Sequence, residues 1–81
     1  MSTPETLATL CQAPRGEDGP VFDAPWQARA FALTLALHDG GHLSWSDWTA
    51  ALAVEIAAAP DRDYYDCWLT ALEKLLPRIG I

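Results

Sequence analysis

The stretch Asp23-Ala24-Pro25-Trp26-Gln27-Ala28-Arg29-Ala30-Phe31-Ala32-Leu33-Thr34-Leu35-Ala36-Leu37-His38-Asp39-Gly40-Gly41 decides the fold. It predicts a single helix with both ends marked. Proline at the first helical position gives up no hydrogen bond, because that N–H has no partner within the helix, and its φ is already helical. Asp23 or Ala24 is then the N-cap, and the Asp23 carboxylate suits the positive end of the helix dipole in either case. Gly40-Gly41 can take the left-handed conformation that closes a helix. Between these ends Trp26, Ala30, Leu33 and Leu37 form one helical row, widened by Phe31 and Leu35, and Arg29 is the one charge inside. A helix this apolar needs cover on more than one side, so the remaining elements must pack around it.

Working outward, Ser44 is a good N-cap for a second helix from Trp45 to Ala58, with Asp47 as a short stand-in for the Glu or Gln of a capping box. Its apolar row is Trp48, Leu52 and Ile56, flanked by Trp45 and Ala51 or Ala59, and it stops before Pro60. Asp61-Arg62-Asp63 opens a third helix, in which Tyr65, Trp68, Leu69, Leu72, Leu75 and Leu76 fit an i, i+3, i+4, i+7 stripe. Pro77 and Gly80 end it. Upstream, Thr3, Pro4 and Glu5 can start a short helix with Leu7, Leu10 and Cys11 on one side. That helix is marginal alone and is expected to dock weakly or fray. The breaker-rich run from Ala13 to Phe22 reads as an arm. No segment alternates with a strand period and no repeat occurs. The expectation is all-α: a small bundle of three main helices (residues 20–81), preceded by a short helix and an extended arm (residues 1–19).

The chain's 81 residues allow one small domain with a thin stability margin. Four Trp, two Tyr and two Phe are more aromatic surface than so small a core easily hides, which hints at a partner. Eleven acidic against five basic residues give −6, with no Lys/Arg cluster, arguing against nucleic acid and anionic membrane. A basic surface on another protein, or a second copy in a homodimer, stays open. The N-terminus has neither the basic segment nor the apolar run of a signal peptide, and no stretch approaches a membrane span, so a cytoplasmic protein is expected.

Chemistry-bearing residues are sparse. His38 and His42 are four apart, but Gly40-Gly41 lies between them and removes the helical meaning of that spacing. With Asp39 and Asp47 nearby they still form no zinc ligand set, and capping or solvated histidines are the reading. Asp61, Asp63 and Asp66 are accounted for by the dipole of the helix they begin. Cys11 and Cys67 lack C-x-x-C spacing and read as reduced, small apolar residues; Asp66 beside Cys67 makes a poor nucleophile of it. No cofactor of its own and no catalytic residue are expected. Arg29 is either a snorkelling side chain, or paired with a carboxylate such as Glu55, or a group that reaches across an interface. Phe22 is either a staple onto the helix that follows or an insert for a partner's groove. Tyr64 and Tyr65 point about 100° apart on a helix, so one can be core while the other is free for contact. Phe22, Trp26, Arg29, Trp48, Tyr64, Tyr65 and Trp68 are the candidate partner-binding residues.

Three motifs in order, Phe22 to Leu33, Ser44 to Trp48, and Tyr64 to Glu73, resemble the N-terminal helical domain of nitrile hydratase β subunits. They are still more similar to the short accessory proteins that share this domain. In that family the α subunit holds a low-spin cobalt or iron in a Cys-rich motif whose cysteines become oxidised, and β supplies arginines to them. One of those arginines lies in the helix that corresponds to the segment after Ser44, where Thr49 stands here, flanked by Trp48 and Ala50. The C-terminal β-barrel domain of a β subunit has no counterpart in these residues. The resemblance therefore implies an accessory (activator) protein that binds the α subunit and assists metal insertion and cysteine oxidation before β assembles. A small β-like structural subunit of a multi-chain nitrile hydratase or thiocyanate hydrolase is the alternative.

Overall fold

A computed structural model describes residues 4–16 and 19–80. Helix α1 spans Pro4–Cys11, and strands β1 (Arg15–Gly16) and β2 (Gly19–Pro20) pair antiparallel in the arm, Arg15 opposite Pro20. Helices α2 (Pro25–Asp39), α3 (Trp45–Ala58) and α4 (Tyr64–Leu75) follow, and a 3-10 segment, Leu76–Ile79, extends α4. The molecule is an all-α bundle with one two-residue antiparallel bridge. The Thr3 cap expected for α1 lies outside the described residues.

The helix ends follow the local chemistry. Ala24 is the N-cap of α2, and the cap is closed from the other side: the Asp23 N–H donates to Gln27 Oε1 at 2.6 Å. After Asp39 the chain closes with two bonds, Gly41 N–H to the His38 carbonyl (3.0 Å) and His42 N–H to the Leu37 carbonyl (2.9 Å). That pattern requires a left-handed residue between them, and Gly41 supplies it at φ 81°. Ser44 caps α3 by accepting from the Asp47 N–H, and Asp63 caps α4 by accepting from the Tyr65 N–H.

Trp68, on α4, sits at the centre with no exposed surface. Its indole stacks on Phe31 of α2 (centroids 5.2 Å apart), meets Trp48 of α3 edge-on (4.9 Å), and touches Tyr64 and Tyr65. Helix α4 also makes the broadest contact in the molecule, with α3. The organising element is therefore α4, and α2 is one of its covers.

That arrangement corrects the apolar rows. The buried face of α2 is Gln27, Ala30, Phe31, Thr34 and Leu37, while Leu33 is 43% exposed. Two polar side chains sit in this face because they are bonded: Thr34 Oγ1 donates to the Ala30 carbonyl and accepts from Trp68 Nε1 at 2.9 Å. In α3 the buried row is Trp48, Leu52 and Glu55, with Ile56 at the edge. Helix α1 is docked firmly: Leu7, Ala8 and Cys11 join the main core, Trp48 Nε1 donates to Cys11 Sγ (3.2 Å), and Tyr64 OH donates to the Cys11 carbonyl (2.6 Å). Leu10, expected on the same side as Leu7 and Cys11, is exposed. A short helix marginal in water becomes stable once an apolar face and a buried carbonyl are both satisfied by neighbours.

Candidate docking surface

The seven candidate contact residues divide sharply. Trp48, Tyr65 and Trp68 are core side chains, at most 2% exposed, and have no surface to offer a partner. Their aromatic area is consumed internally, because α2 and α3 pack on Trp68 and α1 bonds to Trp48 and Tyr64. Tyr64 is half-buried and committed to the Cys11 carbonyl. Phe22 is half-buried against Phe31 and Tyr65, both 5.5 Å away between ring centroids. It staples the arm to α2 and α4. Of the seven, Trp26 and Arg29 line an open groove.

That groove, of about 310 Å³, lies between α2 and α4. Trp26, Arg29 and Leu33 come from α2; Leu69 and Glu73 from α4; Leu76 from the 3-10 segment. Leu33 and Leu69, 43% and 40% exposed, face it from opposite walls. Sequence reasoning placed Leu33 and Leu69 in the core and missed the groove. The available signal was the breadth of the apolar surface on α2: only one of its two apolar stripes can face Trp68, and Trp26 with Leu33, seven apart, is the other. Arg29 and Glu73 are exposed at the groove, and neither pairs with another side chain among the described residues. The Glu55 carboxylate, considered as an Arg29 partner, pairs instead with Lys74 at 2.7 Å.

A larger hollow, about 510 Å³, lies beside the α2–α3 turn and is lined in part by His42, Asp47 and Arg78. His38 is turned away from it, stacked flat on Trp45 with centroids 3.8 Å apart and in ion-pair range of Asp39. Among the described residues no three His, Cys, Asp or Glu side chains gather as a metal ligand set. Cys11 and Cys67 are both buried and unbridged. Burial pushes the Cys11 thiol up, against the smaller opposing effect of the Trp48 N–H. Burial likewise holds the Tyr64 phenol far above its ordinary range, and Tyr65 is pushed up to about 12. The Tyr65 hydroxyl has no hydrogen-bond partner among the described residues. No described helix is long and apolar enough to cross a membrane.

Residues 7–81 match the family model described as nitrile hydratase beta subunit, N-terminal. The chain belongs to this family. Searches of curated proteins and of solved structures returned no match. The family match takes in α1 from Leu7 onward, in agreement with the packing of that helix into the shared core of this β-type N-terminal domain. The Thr49 hydroxyl shares its one proton between the Trp45 carbonyl (2.9 Å) and the Ser46 carbonyl (3.2 Å). It folds back on its own helix. Helix α3 of this β-type domain contains no lysine or arginine at all.

Proposed function

We propose that this chain is a non-catalytic binding partner of a nitrile hydratase-type α subunit, acting as an accessory protein while the α metal centre is loaded and its cysteines are oxidised. The observation that supports the accessory role is the α3 surface. The resemblance implies that a catalytic β subunit carries an arginine on this helix, whereas α3 here has no lysine or arginine and the Thr49 hydroxyl is bonded to its own backbone. Such a chain can occupy the β position on α without engaging the oxidised cysteines, and can then give way to β.

The α2–α4 groove is the docking surface in this reading. Trp26 offers a large, partly dehydrated anchor, the residue type that most often dominates an interface, and Arg29 lies beside it with its guanidinium uncommitted. Cobalt and iron are both compatible with this role, because the metal belongs to the α subunit.

The family match itself favours a second reading, a small β-like subunit retained in the mature enzyme. Co-expression separates the two. With α and β produced with and without this chain, the accessory reading expects higher metal content and activity when it is present, and the purified enzyme to lack it. Equal metal loading in both preparations overturns the accessory role. Stoichiometric retention of the chain in active enzyme establishes the subunit reading in its place.

A further inference from the structure

We propose that in the free protein the α2–α4 groove is closed by a second copy of this chain, the two grooves facing each other about a two-fold axis with Arg29 of each copy against Glu73 of the other.

The argument begins with what a two-fold interface demands. The same patch is used by both copies, so the patch must complement itself. The floor of the groove meets this condition trivially, since Leu33 and Leu69 are apolar and partly exposed on opposite walls. Its charges meet it less trivially. One wall, α2, carries the cation Arg29, and the other, α4, carries the anion Glu73. A two-fold axis running along the groove exchanges the walls, so each guanidinium is brought to a carboxylate, whereas an axis across the groove would oppose like charges. Two charges of one sign would have been brought into opposition. Neither charge has a partner within the described residues, so neither has to break a bond to enter the interface.

Net charge sharpens the choice of surface. Each chain carries −6, so two copies repel over most of their surface and associate only where the patch is locally neutral. The groove, with one charge of each sign, is such a place. The hollow where Leu10 and Ile56 are exposed is lined by no charged residue and has nothing to fix an orientation.

The dimer proposal rests on the groove and does not require the α-subunit reading. Sedimentation equilibrium of the full chain, from micromolar to millimolar concentration, tests it. The expected result is a monomer–dimer equilibrium weakened roughly tenfold or more by R29E and by E73R, each of which creates two like-charge contacts per dimer. R29E/E73R, which reverses both signs, restores wild-type association. L69D abolishes the dimer while circular dichroism shows an intact fold, since Leu69 is partly exposed. A chain that is monomeric throughout, a dimer indifferent to the single reversals, or a double reversal as weak as either single one overturns the proposal. Capture of an α subunit by a monomeric wild-type chain overturns the dimer and leaves the α-subunit reading standing.

Discussion

Two adjacent tyrosines show how position on a helix decides the worth of one hydroxyl. Tyr64 OH donates to the Cys11 carbonyl, and its removal leaves a part-buried acceptor unpaired; Tyr65 OH is buried with no partner among the described residues. Phenylalanine at 64 should therefore destabilise the protein by about 1–2 kcal/mol, whereas phenylalanine at 65 should be neutral or stabilising by about 1 kcal/mol. Urea titration of the two variants checks the opposite signs. Both phenols and the Cys11 thiol also tie stability to pH. Each is neutral when protonated, and each holds its proton to higher pH when folded than when unfolded, chiefly because burial disfavours the anion. Their contribution is complete below the ordinary cysteine value of 9.0 and falls as pH rises, through the ordinary tyrosine value of 10.0 and on toward 12, where Tyr65 ionises in the folded chain. Thermal melts between neutral pH and pH 11 should show the loss, and phenylalanine at 65 should flatten part of it.

At the scale of elements, α1 ends on a residue in a costly conformation. Gln12 has φ 53°, between the last turn of α1 and the Ala13 N–H that donates to the Ala8 carbonyl at 3.0 Å. The left-handed region costs an L-residue roughly 1–2 kcal/mol and glycine almost nothing. After allowance for the greater freedom of an unfolded glycine, Gln12→Gly should raise stability by about 0.5–1 kcal/mol, measurable as a higher melting temperature. A lowered one would mean that the Gln12 side chain contributes more than its backbone costs. Helices α2, α3 and α4 were legible in sequence because their caps are encoded locally: Pro25, Ser44 and Asp63 begin them, and Gly41 and Pro60 close the first two. Which face of each helix points inward was less legible. Periodicity counts apolar residues, whereas burial in this bundle is set by what can reach Trp68, and Thr34 reaches it through a hydrogen bond that no apolar count registers. The same bond makes Thr34→Val costly, by about 1–3 kcal/mol, because a buried indole N–H loses its acceptor. The docking of α1 was illegible for a related reason: its stability comes from Trp48 and Tyr64, which are 37 and 53 residues away in sequence from Cys11.

For the molecule as a whole, thin stability and an open groove belong together. The radius of gyration, 11.9 Å, is close to the roughly 11.7 Å of a fully packed chain this long, so little further apolar area can be buried internally. Further burial of apolar area has to come from association. A partner that binds only the folded chain stabilises it by mass action, by about 2.7 kcal/mol when held at a hundred times its Kd. In a domain of this size each kcal/mol moves the midpoint by about 4–8 °C, so a saturating α subunit should raise the melting temperature of the dilute chain by roughly 10–20 °C. Arg29→Glu provides the control that ties the gain to the groove. Arg29 is exposed and unpaired among the described residues, so the variant alone should melt within about 0.5 kcal/mol of wild type. Its rise on adding the α subunit should be much reduced. Scanning calorimetry of the four combinations reads both quantities at once. An equal rise for wild type and variant would place the docking surface away from α2, and no rise for either would remove the α subunit as the partner.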